Sequence, residues 1–310
     1  MPRPFQRRPL VMGILNVTPD SFSDGGRYLS PDAAIRRAEQ FVSEGADWID
    51  IGGESTRPGS QPVPLEEELR RVIPVIRALA GRVRVPISID TSKAEVARRA
   101  VEHGAAMVND VTALRGDPRM AAVVARAKVP VILMHMRGTP RTMQRAPRYH
   151  DVVAEVRTFL ADARRRAEQA GIPRERILLD PGLGFGKTVT HNLLLLRHLD
   201  ELVALGQPVV LGPSRKSFIG RILVAPPARR DTSSPAWTVP ARSEAIVEER
   251  LAGTLACVAA AARHGVQIVR VHDVKPAVQF LRTWSAIEDA TRGQRRPRRH
   301  RAPSPARCAA

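Results

Sequence analysis

Asp90, Asn109 and Asp180 each follow directly on a short apolar run. That placement brings a polar side chain to the carboxyl end of a buried strand. Two carboxylates and an amide so placed can match a flat heterocycle rich in donors and acceptors. A carboxylate facing an amino-amidine edge accepts two parallel, charge-assisted hydrogen bonds. A second set is cationic or donor-rich: Arg57, Ser214, Lys216, Arg270 and His272. These side chains suit an anion. Together the two sets call for a flat heterocycle that bears phosphate. No HxxxH or CxxC spacing of the transition-metal kind occurs, and no Ser-His-Asp order stands out.

Asp180 lies in the most unusual stretch, ILLDPGLGFGKT over residues 177–188. A phosphate-cradling P-loop needs glycine where Pro181 stands, and proline has no N–H to offer a phosphate. The spacing of Gly182, Gly184 and Gly186 also fails the dinucleotide fingerprint. The expectation is that these glycines let backbone approach the flat ligand, with Asp180 reading its donors. Phe185 is read as exposed beside them.

Groups so far apart in sequence need a fold that gathers strand ends. Apolar runs at residues 10–15, 48–51, 85–89, 106–108, 129–134, 177–179, 208–211 and 266–271 alternate with helical stretches. They end at Asn16, the turn from Gly52, Asp90, Asn109 with Asp110, His135, Asp180, the turn from Gly212, and His272 with Asp273. Near-continuous apolar strands alternating with helices mean a parallel sheet. Eight such units with polar ends mean a closed (β/α)8 TIM barrel, whose strand ends open into one bowl.

Local signals place the helices. Ser30, Pro31 and Asp32 form a helix start, and a stripe of Leu65, Leu69, Val72, Ile73, Ile76 and Leu79 follows, with Pro74 predicting a kink. Further helices are expected over 151–170, stopped by Gly171 and Pro173, and from about 243 to 264. The chain reads as one α/β domain over 10–291, after a basic lead at 1–9. A surface loop is inserted at 226–241 in the seventh unit, and an Arg-rich tail at 292–310 reads as disordered.

Composition narrows the function classes. The 310 residues are 43% hydrophobic but only 4% aromatic, so the core is chiefly Ala, Val, Leu and Ile, as in helices packed on a parallel sheet. The formal net charge of +18 comes almost wholly from arginine, scattered over helix faces and concentrated in the tail. No aromatics interleave with it to stack bases, so a solvated basic surface is expected and nucleic acid is not. Cys257 and Cys308 make neither a disulfide framework nor a metal site. The run at 10–15 is too short to span a membrane, and a cytoplasmic location is expected.

The motifs carry a specific resemblance. NVTPDSFSDGG (16–26), ESTRPG (54–59), SIDT (88–91), MHMRGTP (134–140), SRKSFIG (214–220) and RVHD (270–273) resemble those of the dihydropteroate synthase family, as does the stretch from 177. The match runs in order from about residue 10 to 281. It implies a pterin-binding TIM barrel, usually a homodimer. Such enzymes join 6-hydroxymethyl-7,8-dihydropterin diphosphate to para-aminobenzoate, release pyrophosphate and make 7,8-dihydropteroate for folate synthesis. Sulfonamides compete for the aminobenzoate site.

By position, the resemblance implies that Asp90, Asn109, Asp180 and Lys216 hold the pterin, with Met134 near its ring. Asn16 would ligate Mg²⁺ bridging to the diphosphate, gripped by Arg270 and His272. Thr56, Arg57, Pro58, Phe185 and Ser214 would frame the aminobenzoate, and loop closure would bring in Phe22 and Asp24. Lys216, Asp90, Arg270 and His272 are the expected catalytic set, acting through electrostatics with no single nucleophile. The insertion and the tail depart from the family pattern.

Two alternatives stand beside it. A methyltetrahydrofolate-binding methyltransferase, also an enzyme, could share the barrel and the pterin contacts, but has no use for a diphosphate grip or an aminobenzoate pocket. The other is a basic nucleic-acid-binding protein, or a synthase-like paralogue that has become a binding module, and salt-dependent DNA binding would mark it.

Overall fold

The computed structural model describes residues 8–18, 31–57, 59–224 and 244–292, with residues 291 and 292 described by backbone alone. Eight strands form one parallel sheet: β1 (Leu10–Asn16), β2 (Trp48–Gly52), β3 (Ile87–Asp90), β4 (Met107–Asp110), β5 (Val131–Met134), β6 (Ile177–Asp180), β7 (Val210–Leu211) and β8 (Ile268–Val271). Their order is β6-β5-β4-β3-β2-β1-β8-β7. A bridge between Leu179 and Val209 brings β6 to β7, with Leu179 N donating to Pro208 O at 2.9 Å. The sheet therefore closes, and the TIM barrel is present.

Helices α1 (Pro31–Glu44), α2 (Leu65–Leu79), α3 (Ala94–Glu102), α4 (Met120–Ala127) and α5 (Val152–Gln169) follow the first five strands. After β6 come α6 (Val189–Arg197) and α7 (Leu199–Val203). The circuit ends with α8 (Ser217–Val224), α9 (Leu251–Arg263) and α10 (Val274–Arg292). Asp151 caps α5 by accepting from Val153 N at 2.9 Å and Ala154 N at 3.0 Å. Gly171 ends that unit at φ +88°.

Alternation along each strand separates two apolar layers. Outward residues such as Ile49, Ile51, Ile87, Ile89, Val108 and Leu179 join the helices in the main core. Inward, Met12, Met107, Ile132, Leu178, Val210 and Ile268 plug the barrel. The next inward positions up the strands are Asp50, Ser88, Asp90, Asn109, Asp180 and Arg270. A dry floor thus carries a polar layer.

Pro74 sits inside α2, which continues past it. Two local expectations change. The helix expected from about 243 begins as a short 3₁₀ turn over Val247–Arg250, and α9 starts at Leu251. Buried Arg250 is the reason: its guanidinium takes the Ala245 and Arg215 carbonyls, which therefore lie outside any helical ladder. Asp110 turns away from the bowl and accepts from Thr112 N and Leu114 N, both at 2.8 Å, shaping the turn after β4. The insertion at 226–241 and the tail beyond 292 lie outside the described residues.

Candidate active site

Parallel pairing sets the strand ends level. Asn16 is in register with Gly52, Gly52 with Asp90, and Asp90 with Asn109. A cavity of about 850 Å³ opens above them, and Asn16, Thr56, Arg57, Asp90, Phe185, Ser214, Lys216, Arg270 and His272 line it. Asn109, Met134 and Asp180 are buried at the ends of the neighbouring strands. Phe22, Asp24 and Pro58 lie outside the described residues.

One charged array organises the bowl. Arg270 Nη2 donates to Asp90 Oδ2 at 2.6 Å, and its Nε donates to Asp50 Oδ2. Asn109 Nδ2 donates to the same Asp50 oxygen at 3.0 Å. Asp180 Oδ1 accepts from Gly182 N at 2.7 Å, which leaves Oδ2 for another donor. Lys216 Nζ stands 4.0 Å from the centre of the Phe185 ring, a cation–π contact.

Burial sets the protonation states. It raises Asp180 and Asp90 above the usual carboxylate range, in Asp90 against the pull of Arg270 and helped by Asp50. Burial and the nearby Arg270 push Lys216 down to about 8. His272 is pushed well below its ordinary value by burial and by Arg215, Arg270, Arg57 and Lys216. Its imidazole is therefore neutral near pH 7, a donor where a cation was the alternative. Ser214 Oγ accepts from His272 N at 3.1 Å and lies 3.0 Å from Nδ1. The one hydroxyl thus anchors both the backbone and the ring of His272.

The glycine-rich turn works differently from expectation. A Cβ on Gly182 would sit 2.0 Å from His135 O, and one on Gly186 would sit 2.5 Å from Arg137 O, both at positive φ. These two glycines admit the backbone of the loop after β5, while Gly184 faces Lys216 and the cavity. Phe185 is buried with Val111, Met134, Met136 and Met143, so the exposed aromatic of the sequence reading is an apolar wall. Lys187 is buried too, donating to Gly182 O at 2.9 Å and Phe185 O at 3.1 Å, with His135 Nδ1 at 2.8 Å.

The pterin binding enzyme family matches residues 12–272. Dihydropteroate synthase from Escherichia coli is 47% identical over 287 residues, 93% of this chain and 94% of that protein. A crystal structure of Xanthomonas albilineans dihydropteroate synthase with 4-aminobenzoic acid superposes with a TM-score of 0.79 at 48% identity, covering 91% of this chain and 93% of that one. The Yersinia pestis enzyme in a sulfonamide drug complex gives a TM-score of 0.80 at 43% identity, covering 93% and 96%. This chain belongs to the dihydropteroate synthase family.

For a dihydropteroate synthase, the described bowl lacks an obvious metal cage. Among the described residues no group of three His, Cys, Asp or Glu could hold an ion. Asn16 offers one neutral oxygen at the rim. Mg²⁺ commonly takes one or two protein ligands and fills its octahedron with water and phosphate oxygens. The donors present fit a cation brought with a diphosphate. Sequence reading missed Asp50, which looked like one residue of a strand, although its period-2 alignment with Gly52 puts it on the inner face. It also missed Lys93, which lies between Glu54 and fully buried Glu68 and ties the loop after β2 to α2.

Proposed function

We propose a residue-level account of dihydropteroate synthesis for this bowl. The enzyme transfers the pterin-methyl group of 6-hydroxymethyl-7,8-dihydropterin diphosphate to the amine of para-aminobenzoate, releasing pyrophosphate. Asp90, Asn109 and Asp180 read the pterin edge, Lys216 donates to its ring, and Met134 packs near it. Arg270 and neutral His272 face the diphosphate. Thr56, Arg57, Pro58, Phe185 and Ser214 frame the aminobenzoate, with Phe22 and Asp24 supplied by the first loop.

The observation that carries this reading is Arg270. Its Nε and Nη2 are held by carboxylates of the pterin floor, and Nη1 is the corner outside those bonds. One guanidinium thus joins the heterocycle set to the anion set. As pyrophosphate departs, the pterin methylene gains positive character that the electron-rich ring delocalises. Arg270 and His272 stabilise the charge on the leaving oxygens, catalysis by preorganised electrostatics. Asn16 would hold a Mg²⁺ that arrives with the diphosphate, and the ion would supply further charge neutralisation there. The aromatic amine is neutral near pH 7 and needs no strong base.

Release of pyrophosphate from the pterin diphosphate, with and without para-aminobenzoate, tests the account. Release that depends on the aminobenzoate and on Mg²⁺ is expected. A methyltransferase would give none. Among the described residues no helix is long and apolar enough to cross a membrane. A homodimer in the cytoplasm completes the proposal, by resemblance to the family.

A further inference from the structure

We propose that Asp50 is a positioning residue for the pterin substrate, one buried carboxylate that orients both the Asn109 amide and the Arg270 guanidinium. The inference rests on the residue roles given above. Asp50 is wholly buried in the middle of β2, below the strand-end residues that are assigned to the pterin. It acts through its partners.

The two ends of an asparagine amide are nearly equal in shape, and hydrogen-bond partners decide which end faces a ligand. A carboxylate only accepts. By taking the Nδ2 end of Asn109, Asp50 leaves Oδ1 as the end available to donors on the heterocycle. The same Asp50 oxygen holds Arg270 at Nε, while Asp90 holds Nη2. Two fixed points set the guanidinium plane and aim Nη1.

Packing alone asks for something else here. The inward positions below are Met12, Met107, Ile132 and Ile268, and apolar residues commonly replace buried ion pairs without loss of stability. Among the described residues Asp50 Oδ1 is buried with no hydrogen-bond partner, as is Ser88 Oγ on the adjacent strand. A carboxylate used at half its capacity costs stability. Its compensation is the aim of Asn109 and Arg270.

The experiment titrates the pterin diphosphate into parent enzyme, Asp50→Asn, Asp50→Leu, Asn109→Ala and the Asp50→Asn/Asn109→Ala double variant. Melting temperature and KM for para-aminobenzoate are measured on each. Asp50→Leu should weaken pterin binding roughly tenfold or more, and Asp50→Asn, which keeps one acceptor, about fivefold. KM for para-aminobenzoate should stay within about twofold, and the Asp50→Asn effect should shrink to about twofold or less once Asn109 is alanine. Should the leucine variant not fold, the asparagine variant and the double variant carry the test. Parent-like pterin affinity in Asp50→Asn, or an equal loss with and without Asn109, overturns the inference. Parent-like affinity in Asn109→Ala overturns the underlying residue roles as well, so the two failures are distinct.

Discussion

Asp180 shows how one backbone contact decides what a substitution does. Gly182 N–H already claims Oδ1, so an asparagine at this position would keep its carbonyl there and aim its NH₂ at the ligand. A donor then meets the donors of an amino-amidine edge. Asp180→Asn should cost about 1–3 kcal/mol of pterin binding with the fold intact, and pterin affinity within twofold of the parent by calorimetry would sink the assignment. Lys216 gives a pH dependence. With its pKa pushed down to about 8, it is an ammonium below that pH and an amine above it. In its proposed role the charged form donates to the pterin and offsets the diphosphate, so kcat/KM for the pterin diphosphate should fall as pH rises through about 8, since that ratio reports the free enzyme. Lys216→Arg should abolish this limb, because arginine stays charged, even if it lowers the maximum. A flat wild-type profile across that range contradicts the role. The strand-end positions of Asp90, Asn109 and Asp180 were legible because each follows an apolar run. Asp50 was not, since a carboxylate inside a strand shows its importance only through partners on β4 and β8.

The turn after β6 is an element whose glycines were legible and whose partner was not. Sequence spacing says that backbone must come close to something there. It does not say whether that something is a ligand or the carbonyls of His135 and Arg137. The loops after β5 and β6 are further joined by Tyr149, whose hydroxyl donates to Gly186 O at 2.8 Å, and by Gln144, which donates to Gly184 O at 2.5 Å. These contacts hold Phe185 against Lys216. Gly182→Ala combines a left-handed backbone with a Cβ 2.0 Å from a main-chain oxygen. It should destabilise the enzyme by roughly 3 kcal/mol or more. Gly59→Ala, also at positive φ but with nothing within 4 Å of its Cβ, should cost only about 1 kcal/mol. Comparable melting temperatures for the two variants would mean that the β6 turn yields easily and does not pin Phe185.

At the scale of the whole molecule, the barrel was legible from eight apolar runs with polar ends, whereas the layering inside it was not. Strand register raises Asp50, Asp90, Asn109 and Arg270 above an apolar plug, and it leaves the bowl with a buried floor and an open mouth. On the proposed roles that geometry would impose an order on two substrates that share one entrance. The pterin would sit against the buried strand ends at Asp90, Asn109 and Asp180, and the aminobenzoate among Thr56, Arg57 and Ser214, which line the cavity above. An aminobenzoate seated first would stand in the path of the pterin. The loop after β2 is fixed at its root, where Arg71 Nη1 donates to Gly53 O at 2.8 Å and Lys93 holds Glu54. Towards its tip it has Gly59 N donating to Pro140 O at 3.0 Å, while Arg57 is exposed. An anion near Asn16 and Arg270 gives Arg57 a charge to face and favours one loop position. Para-aminobenzoate should therefore bind at least roughly tenfold more tightly to enzyme holding pterin and Mg-pyrophosphate than to enzyme alone, and Mg-pyrophosphate by itself should recover part of that gain. Titrating para-aminobenzoate into the three forms decides the matter. Equal affinities would mean that the aminobenzoate pocket exists before the pterin arrives, and an ordered mechanism would have to be given up.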